Sequence, residues 1–114
     1  MVRYLFLDMD GTVCKSRQNA TREMLNELSR VNKSKKVFLV SGAELSRMML
    51  QVPLHYITYF SQNGNEVYDG EKIILKNDLA NKVEIMKHIH LLAKEFGYKL
   101  TADSIEDRGR SIVV

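Results

Sequence analysis

The stretch of sequence that decides the fold is Leu5-Phe6-Leu7-Asp8-Met9-Asp10-Gly11-Thr12, near the start of a 114-residue chain. Its apolar first half is typical of a short strand, and its second half holds two aspartates followed by a glycine turn. Side chains alternate along a strand with a period of two, so Asp8 and Asp10 are expected to point to the same side. Paired carboxylates at the end of a strand predict a phosphoryl-transfer site.

The two aspartates are expected to have different chemical roles. Asp8, at the end of the strand, is placed to attack phosphorus as a nucleophile and to form an acyl phosphate. Asp10 is placed as the general acid and base that protonates the leaving oxygen and then activates a water or hydroxyl. Mg²⁺ prefers oxygen ligands, and Asp8 and Asp10 are its predicted metal ligands. The alternative interpretation is a strand that ends in an Asp-Gly turn with solvated acids.

Several further residues are candidates for binding a substrate phosphate. Gly11 permits a turn that brings backbone N–H groups close to the phosphate, and the hydroxyl of Thr12 can brace that turn. Arg17, in the following loop, can bind a phosphate through two parallel hydrogen bonds. Ser41-Gly42 follows an apolar strand and is expected to open a helix, where a hydroxyl and free N–H groups form a phosphate site. The alternative interpretation of Ser41 is that its hydroxyl only caps the helix and binds no phosphate.

Strands and helices alternate along the chain, which predicts an α/β fold with a parallel sheet and crossover helices. In the first half the expected elements are a strand at 3–7, a helix capped by Asn19 or Thr21, a strand at 37–40, a helix from Ser41-Gly42 to Pro53, and a strand at 56–60. The second strand is continuously apolar and is expected to be buried on both faces. In the second half they are a hairpin around Asp69-Gly70, a helix from Asn77 or Asp78 to Phe96, and strands at 99–102, 105–107 and 111–114.

Composition favours one small soluble domain, because 45% of the residues are hydrophobic and 27% are charged. The only cysteine, Cys14, excludes an intrachain disulfide and favours a reducing, cytoplasmic setting. It has no nearby histidine to activate it, so we interpret it as a small packing residue. No apolar run approaches the length of a membrane-spanning helix.

The net charge of +3 is concentrated in the first forty residues. A basic cluster there consists of Arg30, Lys33, Lys35 and Lys36. We interpret it as a solvated helix end, because cations complement the helix dipole there and no aromatic residues interleave with them to stack on bases. The expected partner is therefore a small phosphorylated substrate, with neither nucleic acid nor a membrane.

Phe6 to Val13 resembles the first motif of the haloacid dehalogenase (HAD) superfamily, whose pattern is Asp-x-Asp-Gly-Thr. The resemblance continues through the segments 14–18, 21–24, 40–42, 61–64 and 105–109. It is most similar to the branch with a large cap after the third core strand, which includes phosphomannomutases and sugar phosphatases. It implies a Rossmann-like core of three parallel strands and the start of an α+β cap. The implied divisions are a core at 1–64, a hairpin and connection at 65–77, and a partial cap at 78–114.

The same resemblance implies roles for individual residues. Asp8 and Asp10 match the nucleophile and the acid–base residue, and Ser41 resembles the second motif. Arg17 is similar to a loop arginine that contacts substrate in phosphomannomutases. Arg108 resembles a cap arginine in a turn that faces the active site, although a surface turn arginine is an equal alternative. Asn63, which begins an Asn-Gly pair found in similar proteins, is also implied to bind substrate.

Two motifs of the superfamily are not recognisable in the sequence. These are a lysine that holds the nucleophile and phosphate, and one or two further acids that complete the Mg²⁺ site. The chain ends at Ser111 to Val114, within an expected cap strand, and so is expected to be the amino-terminal part of a larger enzyme. The strand that carries Asp8 would then be an open sheet edge, which favours association with a second copy through strand exchange.

Three functions remain open at this point. The first is a Mg²⁺-dependent phosphatase that acts on a sugar phosphate or similar metabolite through an aspartyl-phosphate. The second is a phosphomannomutase, and the third is a catalytically inactive remnant or interaction module. A phospho-receiver domain is excluded, because it needs an aspartate after the third strand and Ser61-Gln62-Asn63 supplies none.

Overall fold

The computed structural model describes residues 1–114 and divides them into two compact units, Met1–Lys76 and Asn77–Val114. The elements of the first unit are β1 (Tyr4–Asp8), α1 (Arg22–Asn32), β2 (Lys36–Val40), α2 (Leu45–Gln51), β3 (Thr58–Ser61), β4 (Glu66–Tyr68) and β5 (Ile73–Lys76). The strands form one sheet in the order β1-β2-β3-β4-β5, in which β1, β2 and β3 are parallel and β4 and β5 are antiparallel additions. The predicted α/β architecture with three parallel strands is therefore confirmed. None of the helices has both the length and the hydropathy that crossing a membrane requires.

The core of the first unit is built from one face of the sheet and the two helices. Leu7, Leu39 and Tyr59 lie side by side in the parallel register, and the last two are almost completely buried. The Tyr59 hydroxyl shares its one proton between the carbonyls of Val52 and Leu54. Burial raises the pKa of this hydroxyl, so it stays protonated as a donor.

Helix α1 begins where its sequence predicts. Oγ1 of Thr21 accepts a hydrogen bond from the N–H of Met24 at 3.2 Å, which is the expected N-cap contact. The apolar residues of the helix recur on one face, and Leu28 is buried in the core. Thr21 therefore caps the helix, and Asn19, the other candidate, lies outside it.

Helix α2 begins later than predicted. The sequence places its start at Ser41-Gly42, whereas the helix starts at Leu45. The Ser41 hydroxyl accepts from the N–H of Ala43 at 3.1 Å, and the Ser41 carbonyl accepts from the N–H of Asn63 at 2.9 Å. These bonds hold Ser41 in a loop against the segment after β3, so its carbonyl is not available to begin a helix.

Strand β2 is buried on one face only, which corrects the expectation of two buried faces. Val37 and Leu39 are fully buried, while Phe38 and Val40 are half-buried. On the second face Phe38 stacks on Phe6 of β1, with ring centroids 4.5 Å apart. The continuous apolar run therefore reflects a helix-covered face and an aromatic face.

The predicted hairpin around Asp69-Gly70 is present between β4 and β5. Oδ1 of Asp69 accepts from the N–H groups of Glu71 and Lys72, both at 2.9 Å, and these bonds lower the pKa of the carboxyl group. Gly70 has a φ of +100°, and a Cβ atom there would lie 2.6 Å from the carbonyl oxygen of His55. Glycine is therefore required at this turn by both its backbone angle and its close approach.

The second unit contains α3 (Lys82–Glu95) and the antiparallel pair β6 (Glu106–Asp107) and β7 (Ile112–Val113). Helix α3 begins at Lys82 and not at Asn77 or Asp78, because the Asp78 carboxylate pairs with Arg110 instead of capping the helix. The turn predicted between the last two strands is confirmed.

The strand predicted at 99–102 in the second unit is absent. There the N–H of Thr101 donates to Oγ of Ser104 at 2.8 Å, and the N–H of Ser104 donates to the Thr101 carbonyl at 3.1 Å. This local turn uses the backbone groups that pairing with a neighbouring strand would need.

Candidate active site

The predicted site residues of the first unit gather at the carboxyl ends of the three parallel strands. The N–H of Met9 donates to the carbonyl of Val40 at 3.2 Å, which holds the turn after Asp8 against the end of β2. The N–H of Ser41 donates to the carbonyl of Phe60 at 3.0 Å. The N–H of Asn63 donates to the carbonyl of Ser41 at 2.9 Å. The loops after β1, β2 and β3 therefore meet at one edge, where ligands bind in open α/β sheets.

A tight turn follows Asp8. The buried carbonyl of Met9 accepts from the N–H groups of Thr12 and Val13 at 3.3 and 3.0 Å. Gly11 donates to the Cys14 carbonyl at 2.7 Å and has a φ of +80°, a backbone region that side chains disfavour. A Cβ atom on Gly11 would meet nothing within 4 Å, so the backbone angle, and not space, favours glycine.

The Asp10 carboxylate is held on both of its oxygens. Oδ1 accepts from the backbone N–H of Arg17 and from Nε2 of Gln51, each at 3.3 Å. Oδ2 lies 3.7 Å from Nη2 of Arg47 in a partly exposed ion pair. The orientation of Asp10 is therefore set jointly by the loop after β1 and by α2.

Gln51 and Arg47 are two residues of this site that sequence reasoning missed. Gln51 is only 3% exposed, and its Nε2 also donates to the carbonyl of Gln18 at 2.7 Å. The two residues are four apart in α2 and so share a helix face. That helix face is otherwise apolar. The one sequence signal for these two residues was a glutamine at a position expected to be buried. Nε of Arg47 and Oε1 of Gln51 are buried and have no hydrogen-bond partner within the protein.

Cys14 adjoins Asp10 but has the character of a packing residue. Its Sγ donates to the Met9 carbonyl at 3.7 Å and lies 4.0 Å from Oδ1 of Asp10. Burial raises the pKa of the Cys14 thiol, and the negative charge of Asp10 raises it further. The thiol is therefore protonated at neutral pH and is a weak nucleophile.

Unusual backbone angles also mark the site. Of the four residues other than glycine with positive φ, Arg17, Gln62 and Asn63 lie in the loops after β1 and β3. Each such conformation costs of order 1–3 kcal/mol, and these conformations cluster at binding and catalytic sites. Arg17 reaches Asp10 through its backbone N–H, which leaves its guanidinium free of that contact.

Arg108 belongs to the second unit and lies in the turn between β6 and β7. Its side chain is 12% exposed, and Nη2 donates to Oε2 of Glu106 at 2.9 Å. Arg108 is therefore a well-packed member of its unit and not a solvated turn residue. Its predicted role in substrate binding stays a prediction.

The chain offers two carboxylates for a metal ion at this edge of the sheet. No group of three or more His, Cys, Asp or Glu side chains that could hold a metal is present. Mg²⁺ commonly uses one or two carboxylates and completes its shell with water and substrate phosphate, so Asp8 and Asp10 fit it as donors. Beside the turn lies a cavity of about 420 Å³, whose lining includes Gly11, Lys15 and Gln18.

Comparisons with known proteins agree with this arrangement. Residues 5–107 match the family model of haloacid dehalogenase-like hydrolases. No curated protein gave a match. Among solved structures, a haloacid dehalogenase-like hydrolase from B. subtilis is similar, with 19% identity and a TM-score of 0.67 over 83% of this chain and 34% of that one. A HAD phosphatase from Bacteroides thetaiotaomicron has 23% identity and a TM-score of 0.61, over 85% of this chain and 37% of that one.

A sugar phosphatase of HAD subclass IIB has 22% identity and a TM-score of 0.59, over 84% of this chain and 38% of that one. These likenesses establish the shared fold, and the chain spans about a third of the length of the structures it matches. The family model covers most of the chain, including the turn with Asp8 and Asp10. The chain belongs to the haloacid dehalogenase-like hydrolase family.

Proposed function

We propose that the site hydrolyses a phosphate ester of a small metabolite, such as a sugar phosphate, through an aspartyl-phosphate on Asp8. The observation that carries the proposal is the carboxylate of Asp10, oriented by Arg17, Gln51 and Arg47, two residues beyond an exposed aspartate at the end of β1. Membership of the hydrolase family supports it. The likeness to a structure described as a sugar phosphatase supports the substrate class.

In the first step a carboxylate oxygen of Asp8 attacks phosphorus, and the bond from phosphorus to the ester oxygen breaks. Asp10, in its protonated form, gives its proton to that leaving oxygen, which departs as an alcohol. In the second step Asp10 takes a proton from a water molecule as the water attacks the phosphoryl-enzyme. Inorganic phosphate leaves, and the Asp8 carboxylate is restored.

The loops that converge on Asp8 bind the phosphate in this proposal. The N–H groups of Gly11 and Thr12 donate to the carbonyls of Cys14 and Met9, which corrects the expectation that they bind the phosphate. The proposed contacts are the Thr12 hydroxyl, the loop of Ser41-Gly42, Asn63 and the guanidinium of Arg17. Asp8 and Asp10 would hold Mg²⁺, which when bound neutralises charge on the phosphate oxygens. The Arg17 guanidinium and these loops position the phosphoryl group for attack by Asp8.

Phosphate release from a panel of sugar phosphates, measured with Mg²⁺ present, tests this proposal. The Asp8→Asn variant is expected to lose activity by on the order of 10³-fold or more, because an amide cannot form the acyl phosphate. Asp103→Asn, the same change at an exposed loop position, is the matched control and should keep activity. A hydroxylamine-labile phosphoryl label should form on the wild type and not on Asp8→Asn.

The outcomes separate the open functions. Transfer of phosphate within a sugar, without release, would replace the phosphatase with a mutase. Well-folded protein that neither turns over any substrate nor takes up the label would overturn the enzymatic proposal in favour of an interaction module. Activity that is unchanged in Asp8→Asn would remove Asp8 as the nucleophile.

A further inference from the structure

The two carboxylate oxygens of Asp10 have unequal surroundings. Oδ1 accepts from the N–H of Arg17 and from Nε2 of Gln51, each at 3.3 Å. A carboxylate oxygen has two lone pairs, so these two bonds occupy Oδ1. Oδ2 lies 3.7 Å from Nη2 of Arg47, which is longer than a direct hydrogen bond. Oδ2 is therefore the oxygen of Asp10 that can meet a substrate.

The bonds to Oδ1 do not by themselves fix the plane of the Asp10 carboxylate. Both are longer, at 3.3 Å, than the roughly 2.7–3.2 Å of typical N–H···O hydrogen bonds, and both lie on one oxygen. A carboxylate held by one oxygen turns readily about its Cβ–Cγ bond, because such terminal torsions have broad minima. The guanidinium of Arg47 attracts the second oxygen and so restricts this rotation.

Arg47 stands on a well-packed part of the first unit. Helix α2 carries it between residues that face the core, and its neighbour Met48 is fully buried. Gln51, one turn further along the helix, is also buried, as is Nε of Arg47 itself. A charge on such a support is placed more precisely than a charge on a loop.

The ion pair between Arg47 and Asp10 is expected to contribute little to folding. The two side chains are 32% and 28% exposed, and the charged atoms are 3.7 Å apart. Ion pairs that water can screen in this way add little to the free energy of unfolding. The position of Arg47 is therefore better explained by its effect on Asp10 than by stability.

We propose that Arg47 is a positioning residue that turns Oδ2 of Asp10 toward the oxygen that leaves the phosphate ester. This inference rests on the proposed phosphatase, in which Asp10 is the general acid. The leaving oxygen takes the Asp10 proton while its bond to phosphorus breaks, so a misaligned carboxylate slows that step. Arg47 acts through Asp10 and does not itself touch the substrate.

This role makes the contribution of Arg47 depend on the leaving group. The alkoxide of a sugar is a strong base and has to be protonated as it leaves, whereas p-nitrophenolate is stable as an anion. Positioning of the acid therefore speeds the cleavage of glucose 6-phosphate and hardly affects that of p-nitrophenyl phosphate. A contact from Arg47 to the phosphate would affect both esters equally, because they carry the same phosphoryl group.

Single-turnover kinetics with Mg²⁺ present measure the first step and test this proposal. With saturating glucose 6-phosphate, Arg47→Met is expected to be slower by about 10-fold, a part of the ~10²–10⁴-fold that general acid catalysis contributes. The rate with p-nitrophenyl phosphate, and the concentration that gives half the maximal rate with either ester, should hardly change. Arg47→Lys keeps the charge and should recover part of the loss.

Arg30→Met is the matched control, because it removes the same charge from an exposed ion pair with Glu27 in α1. It should keep the wild-type rates with both esters. Circular dichroism checks that each variant is folded. If Arg47→Met fails to fold, Arg47→Gln, which keeps polar atoms at that position, replaces it in every measurement.

NMR spectra of the isotope-labelled chain follow Asp10 independently of activity. The backbone N–H of Arg17 and the side-chain amide of Gln51 donate to Oδ1, so their proton signals report on the position of the carboxylate. In Arg47→Met both signals are expected to move to higher field, because the two hydrogen bonds weaken as the carboxylate turns. In Arg30→Met they should stay in place.

Unshifted signals of Arg17 and Gln51 in folded Arg47→Met would overturn the proposal. Equal losses of rate with the two esters, or a loss confined to substrate binding, would also overturn it and would make Arg47 a phosphate contact. A wild type that cleaves neither ester would contradict the proposed function. The NMR signals would then still decide whether Arg47 positions Asp10.

Discussion

Gln51 connects α2 to the loop that carries the acid–base candidate. Its Nε2 atom lies 3.3 Å from Oδ1 of Asp10 and 2.7 Å from the carbonyl of Gln18. The backbone carbonyl of Gln51 accepts from the N–H of Ala20 at 2.8 Å. The side chain and backbone of Gln51 together therefore orient the carboxylate and hold the end of the loop.

Replacing Gln51 by leucine is expected to lower the free energy of unfolding by about 1–3 kcal/mol, because buried partners lose their donor. It should also lower kcat more than it changes KM, because Asp10 loses an orienting contact and not a substrate contact. Urea denaturation and steady-state kinetics measure the two effects. Gln18→Leu is the matched control, since Gln18 contributes its backbone carbonyl to this contact. Equal effects of the two substitutions would contradict the assignment.

Residues near one another in sequence were the predictable part of the site. Asp8, Asp10 and Gly11 lie within four positions, and the end of an apolar strand followed by a glycine turn is readable from these adjacent residues. Strand β1 ends at Asp8 and Asp10 lies in the turn that follows, so the strand periodicity assumed for the two aspartates does not extend to Asp10. Gln51 reaches Asp10 from 41 positions away. Only the packing of α2 against the first loop creates that contact, and no local pattern encodes it.

At the scale of elements, a predicted helix cap is correct where its side chain bonds to a neighbouring residue, and it is wrong where the residue bonds to a distant part of the chain. Thr21 finds the N–H of Met24 three residues on, and α1 starts as predicted. Ser41 bonds to the loop after β3, and Asp78 pairs with Arg110. The starts of α2 and α3 were therefore misplaced because tertiary contacts took the groups that local reasoning assigned to capping.

Thr21→Ala is expected to destabilise the first unit by about 1 kcal/mol, since the N–H of Met24 loses its acceptor. Thr21→Ser keeps a hydroxyl at the same position and should recover most of the loss. Chemical denaturation followed by circular dichroism measures both. An alanine variant as stable as the wild type would show that the cap contributes nothing to α1.

Across the whole molecule, burial is unevenly divided between the two units. Every fully buried hydrophobic residue lies within Met1–Lys76. Helix α3 of the second unit buries none of its residues, and that unit has a cavity of about 650 Å³ whose lining includes Leu92 and Phe96. The free energy of folding is therefore expected to come mainly from the first unit.

A protein consisting of residues 1–76 alone is expected to fold and to unfold in one cooperative transition, because it retains the whole buried core. The peptide 77–114 should show no such transition on its own. Thermal melts followed by circular dichroism compare the two with the full chain. Loss of cooperative unfolding in residues 1–76 would mean that the second unit supplies essential stability.

The position of Cys14 makes movements of the loop after β1 measurable. The thiol is buried against Met9 and Asp10, and its pKa is raised, so a reagent in solution meets a protonated and covered sulfur. The rate of modification therefore depends on local movements that expose the sulfur further. Because Cys14 is the only cysteine in the chain, the rate at which a thiol reagent labels it reports on movements of the loop that carries Asp10.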